Sequence, residues 1–256
     1  MGYFYIDESI HERAGFILGS YVYSQRDLTP YVFQKLTTVG LTAGKDEFKS
    51  SAKMSADPTQ RSLRENLKDL LGNVKLGLVV VPTSERSSLG SEALKGLSKI
   101  LHANALTAGP HQVYFDEGIT FQDRLGLVDQ LGLTNMCEIH VDRDSRLVGG
   151  LQMADLAAHT MSTMLLETLG IISKTVKAGP NSGYDPDLDI DLGFQMWATL
   201  RYHFFTMDKI DLDADPIEGF TLDTGSYAVH VAESCPEELR KAVQERFGRC
   251  YMGCIH

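Results

Sequence analysis

The chain opens on short runs rich in aromatic and β-branched residues, which then give way to helical and continuous apolar patterns. Tyr3-Phe4-Tyr5-Ile6 opens a strand from Gly2 to Ser9 that closes on Asp7-Glu8-Ser9. Gly15 to Ser24 reads as its hairpin partner, with His11-Glu12-Arg13-Ala14 in the turn, and Leu28 to Thr38 reads as a helix. Asp57-Pro58 predicts a capped helix start, and Gly72-Asn73 stops that helix after about Leu71. The near-continuous apolar run Val74 to Pro82 is that of a strand buried on both faces, and a helix follows from about Leu89 to Leu106. Gln112 to Gly118 is a strand ending in Asp116-Glu117-Gly118, Phe121 to Leu131 a short helix, and Met136 to Val141 another strand. Asp144 to His159 then reads as a loop feeding a helix. Leu147, Leu151, Ala154 and Ala158 share one apolar stripe of it, with Asp155 on the edge.

Strands alternating with helices behind an N-terminal hairpin predict a three-layer α/β domain with a mixed sheet over residues 1–170. Residues 171–256 are expected to be a C-terminal extension packed on the same domain. Its helices are expected at Leu192 to Phe205, which contains Trp197, and at Pro236 to Gly248. Gly44 to Ser51 is polar and carries no period that fixes its structure.

Composition narrows the functional classes. With 43% hydrophobic and 23% charged residues, the 256-residue chain can bury a substantial core. A formal net charge of -10 gives no general attraction for phosphate backbones. Any nucleic-acid partner must therefore be held locally, by a basic groove or by metal bound to carboxylates. Four cysteines do not form a secreted disulfide scaffold. The N-terminus lacks a basic segment and meets two acids early, and no apolar run reaches membrane-spanning length. A reducing cytoplasm is the expected address, with no membrane partner.

The candidate chemistry is carboxylate chemistry. Asp7 ends the first strand, Asp116 a later one, and Asp155 sits on the helix after the last. Strand alternation lets only one of Asp7 and Glu8 share a face with Tyr3 and Tyr5, and Asp7 is taken as the functional acid. In an open α/β sheet the crevice at strand ends is where sites form. With Glu47 from the polar stretch, four acids from four segments would repel one another. Two divalent cations, Mg²⁺ or Mn²⁺ for oxygen ligands, would relieve that and could activate water against a phosphodiester. The bland alternative is that these acids are solvated caps and turns.

In order along the chain, Tyr5-Ile6-Asp7-Glu8-Ser9, Glu47-Phe48-Lys49, Asp116, Asp144-Ser145 and Leu151-Gln152-Met153-Ala154-Asp155 resemble the domain-of-unknown-function 3800 family, over about Gly2 to His159. The Leu-Gln-Met-Ala-Asp stretch with its upstream Asp-Ser is the most specific part. The resemblance implies a ribonuclease H-like fold, an acidic metal site and nuclease action on RNA or DNA. It implies metal-binding roles for Asp7, Glu47, Asp116 and Asp155, with Asp144 as a fifth, and puts Lys49 beside the scissile phosphate as a charge stabiliser. Ile10 departs from the family, which usually has glycine there, and leaves the placement of Glu8 open. The choice of Glu47 over Asp46 rests on spacing to Lys49.

Two other functions stay open: a non-catalytic docking domain within a defence or mobile-element system, and a small-molecule phosphate hydrolase. A homodimer or larger complex is compatible with each. Ser145 lacks a nucleophile elbow and is read as orienting Asp144 or capping the helix. His159, one turn after Asp155, is either a proton carrier or a helix-surface residue, and Gln152 either contacts the site or faces solvent. Cys235, Cys250, Cys254 and His256 are spaced irregularly for zinc, so buried thiols are expected. The acids at Asp185 to Asp191 and Asp211 to Asp215 lack the pattern of a calcium loop.

Overall fold

The computed structural model describes residues 1–179, 182–206 and 209–253. The aromatic start forms β1 (Tyr3–His11), which turns through Glu12–Ala14 and Gly15, at a left-handed φ of 74°, into β2 (Phe16–Ser24). Only glycine adopts that turn without a steric penalty. Then follow α1 (Thr29–Thr38), α2 (Pro58–Lys68), β3 (Lys75–Pro82), α3 (Leu89–Ala103), β4 (His111–Asp116), α4 (Arg124–Gln130), β5 (Cys137–Arg143) and α5 (Gly150–Thr168). Asp57 caps α2 by accepting from the Gln60 amide at 2.9 Å, the role its sequence position predicts.

The segment after Gly170 carries helices at both expected places together with strands that the sequence does not predict. It contains β6 (Thr175–Lys177), β7 (Asp189–Asp191), α6 (Leu192–Leu200), α7 (Pro216–Gly219), β8 (Thr221–Asp223), α8 (Gly225–Ala228), β9 (Val229–Val231), α9 (Glu237–Phe247) and β10 (Arg249–Tyr251). β6 pairs with β7 and β8 with β10 in two small ribbons, while β9 joins the main sheet.

That sheet has six strands in the order β5-β4-β1-β2-β3-β9. β2 runs antiparallel to β1 and β3, and β4, β5 and β9 run parallel to their neighbours, so the sheet is mixed, as expected. One face carries α5, whose Ala154 carbonyl accepts from buried Ser20 Oγ at 2.8 Å. The other carries α3, whose Ala93 carbonyl accepts from buried Tyr21 Oη at 2.7 Å. The molecule is thus three-layered, and burying residues such as Leu94, Leu97 and Leu101 on α3 stabilises it by roughly 1.5–3 kcal/mol each.

α5 lies tight against β1 because Gly150 has no side chain; a methyl group there would overlap the Tyr5 ring. Leu147 does not join the α5 stripe. It is 64% exposed, in a turn where Asp144 accepts from the Arg146 amide, and the helix begins only at Gly150. Among the described residues no helix is long and apolar enough to cross a membrane.

Candidate active site

The middle of β1, the carboxyl end of β4 and the first turns of α5 meet where the β1–β4 pairing stops; Asp7 does not close its strand as expected, because β1 runs on to His11 against β2. Ile6 pairs with Phe115, so Asp7 and Asp116, one residue further on, are level, on the face that Tyr5 and Ser20 share with α5. Asp155 comes from α5 above them. All three line one cleft of about 460 Å³, together with Lys49, Ser50, Ser145, Gln152 and His159.

Electrostatics marks this cleft as a place where negative charge is costly. Burial raises the Asp7 pKa well above the usual carboxylate range, and the Asp116 and Asp155 charges raise it further, against one donation from the Glu8 amide at 2.7 Å. Asp116 is pushed up to about 7 by burial and by Glu8. Asp155 is raised by burial even though the Ser50 amide, at 2.9 Å, and the Ser50 hydroxyl both donate to it. Lys49 is the cation whose field reaches both Asp116 and Asp155. Burial lowers its own pKa, but the ion pair with Glu47 at 3.1 Å outweighs that and raises it.

Glu8 belongs to this cleft as well. It lies past the end of β4 pairing, where β1 has no neighbour on that side, and it lines the cleft although its strand position faces the opposite layer. Its buried Oε2 has no hydrogen-bond partner among the described residues, and burial raises its pKa against the pull of Arg86. Alternation alone hid it. Nothing in the two acids and one serine of Asp7-Glu8-Ser9 marks where the β4 partner stops, which is what opens Glu8 to the cleft.

The polar stretch Gly44 to Ser51 forms no helix or strand. It is held by side chains that satisfy its amides one after another. Phe48 N donates to Gln152 Oε1 at 2.7 Å, Lys49 N to Gln60 Oε1 at 3.0 Å, and Ser50 N to Asp155. Gln60 Nε2 closes the clamp on the Glu47 carbonyl at 2.8 Å. Gln152 neither faces solvent nor points at the cleft alone: it is fully buried and also donates to the Ser145 carbonyl at 2.9 Å, tying the loop to the turn before α5. Gln60 and Ser50 escaped the sequence reading, since nothing local marks a glutamine that caps a distant loop.

Glu47 sits behind this arrangement, accepting from Ser145 Oγ and paired with Lys49. Ser145 thus orients Glu47 rather than Asp144. Asp144 is half-exposed and engaged by Arg146, which donates from Nε at 2.9 Å and Nη2 at 2.7 Å, and this bidentate pairing lowers its pKa. It does not line the cleft. His159 is half-buried and reaches the cleft; burial first, then Arg64 and His11, push it down to about 4, so it is neutral at pH 7. Cys235 and Cys250 are buried thiols with pKa values pushed up to about 11 by burial; Cys254 and His256 lie outside the described residues.

The donor chemistry of Asp7, Asp116 and Asp155 fits a hard divalent cation: buried carboxylate oxygens whose mutual repulsion such an ion would remove. Their spacing is not that of a preformed ligand set. Among the described residues, no three His, Cys, Asp or Glu side chains form a group that could hold a metal ion as they stand.

No protein-family model matches the chain, and no curated protein does. Among solved structures it is similar to a chain of the PCNA:RNase HII complex from Archaeoglobus fulgidus, at 15% identity over 73% of this chain and 84% of that one, with a TM-score of 0.37. It is also similar to ribonuclease H2 from Pyrococcus horikoshii, at 14% identity over 96% of this chain and 99% of that one, with a TM-score of 0.38.

Proposed function

We propose that the chain is a ribonuclease H-like, divalent-metal-dependent nuclease that hydrolyses phosphodiester bonds in RNA or DNA. The observation that carries the reading is the convergence of Asp7, Asp116 and Asp155, from two strands and a helix, in one cleft with Lys49. Asp7, Asp116 and Asp155 would hold Mg²⁺ or Mn²⁺, with Glu8 and Glu47 beside them and Asp144 a further ligand once released from Arg146. When bound, the metal supplies charge neutralisation and activation of water. Lys49, held by Glu47, is oriented to meet a phosphate oxygen entering the cleft. The raised pKa of metal-free Asp116 reflects burial and the charge repulsion that a bound cation would relieve.

A second reading, a non-catalytic docking domain, is favoured by one observation. Asp7, Asp155 and Glu47 each already accept from a protein donor, so the site is held together by the chain itself.

Calorimetric titration with Mg²⁺ and Mn²⁺, paired with cleavage assays on RNA and DNA oligonucleotides, separates the two. The nuclease reading expects metal binding that Asp155→Asn loses while circular dichroism stays unchanged, and cleavage that falls at least about 100-fold in Asp7→Asn. Metal binding with no cleavage of any polymer would leave the docking domain. Cleavage of mononucleotides alone would point to a small-molecule phosphate hydrolase.

A further inference from the structure

A second cleft, of about 540 Å³, opens between α2, α5 and α6, and His159 lines both it and the acidic cleft. Its charge is opposite in sign. Arg64, Lys68 and Lys174 line it, with Glu65 the acid among the residues around it, and Glu65 is paired with Lys68 at 2.8 Å. On a chain of net charge -10 such a concentration of cations is unusual.

Arg64 is the informative residue. It is half-buried, its Nε has no hydrogen-bond partner, and among the described residues no carboxylate lies within ion-pair distance of it. Glu65 attracts it through space but does not pair with it, and the guanidinium's fork of donors matches a phosphate. Thr160 and Thr163 donate their hydroxyls to carbonyls of their own helix, so neither O–H is spare for a ligand.

The position of Arg64 ties this cleft to the first one. Gln60, one turn earlier on the same face of α2, clamps the loop that carries Lys49. His159 lines both clefts, so a strand running from the acidic cleft into the second one would pass it and reach Arg64.

We propose that the Arg64 cleft is a backbone-phosphate subsite that grips the nucleic-acid strand beside the acidic cleft, supplying the local attraction that the acidic molecule otherwise lacks. The identity of the occupant rests on the nuclease reading; the anion site itself does not.

The test is binding of a short fluorescein-labelled single strand, as RNA and as DNA, followed by anisotropy in chelator so that no cleavage occurs, across a series of KCl concentrations. Arg64→Gln and Lys174→Gln are each expected to weaken binding about tenfold and to reduce the slope of log K against log salt by about 0.7, while Lys241→Gln on α9, outside the cleft, leaves both unchanged. Lys174 is exposed, so its variant decides the matter should Arg64→Gln fail to fold. Absence of binding by the native protein, native-like binding by both cleft variants, or an equal loss in Lys241→Gln would each overturn the subsite. A strand that binds through Arg64 but is never cut with Mn²⁺ removes the nuclease reading and keeps the subsite. A strand that is cut with an unchanged KM in both variants does the reverse.

Discussion

Asp116 is held in a state where one proton decides its energy. Its folded pKa, about 7, lies above the unfolded value of 3.8, because burial and Glu8 disfavour the anion. The folded state therefore binds the proton more tightly, and its contribution to stability is fully present below about pH 4 and is lost as pH rises through 7. Asp116→Asn keeps the neutral shape at every pH. The metal-free variant is expected to melt roughly 2–4 °C above the native protein at pH 8, for about 1 kcal/mol, and level with it near pH 4. Melting curves at the two pH values check this; a variant less stable at pH 8 would mean that the Asp116 charge is already compensated. The same substitution removes a candidate metal ligand, so stability and activity should move in opposite directions, as expected where a functional site stores unfavourable charge.

At the scale of elements, the close approach of α5 to β1 sets the height of Asp155 over Asp7. Gly150→Ala inserts a methyl group into the Tyr5 ring, which is fully buried and bonded to Asp27 at 2.8 Å. Overpacking of this kind costs about 1–3 kcal/mol, and chemical denaturation should read that loss as a lower midpoint. A native-like midpoint would show that α5 slides freely on the sheet.

The elements that were legible in the sequence are those whose period is enforced by burial. β1 to β5, α1, α2, α3 and α5 lie where apolar runs and the Asp57-Pro58 cap put them. Three features were not. Leu147 falls at helical spacing, yet the Asp144 turn precedes the helix. The Glu47 to Ser50 loop is built by Gln60, Gln152 and Asp155, two of them about a hundred residues away in the chain. β9 is three residues long, too short for any periodicity, and exists because β3 offers it an edge. Asp7, Asp116 and Asp155 could be found because each is carried by a strong element, Asp7 within β1, Asp116 at the end of β4 and Asp155 on α5. Glu8 could not, since its access depends on where a neighbouring strand stops.

For the whole molecule, β9 covers the β3 edge and leaves β5 as the opposite border of the sheet. A chain truncated after Thr168 keeps β1 to β5 but bares β3, whose Leu76 to Val81 are fully or nearly fully buried. Bare apolar edges recruit other strands. Light scattering of that fragment at micromolar concentration is expected to rise with time while the full chain stays monodisperse; a fragment that remains monomeric would show that β3 is protected by other means.

The distance in sequence between β3 and β9 also imposes an order on birth. The ribosome releases β3 beside β2, which is already made, and must go on to Val229 before the strand on its other side exists, a delay on the order of ten seconds at ordinary elongation rates. Throughout that interval the nascent chain carries a half-built sheet with an open border, so a cell producing this protein quickly needs something to shield it, and crowded polysomes are where it would first go wrong.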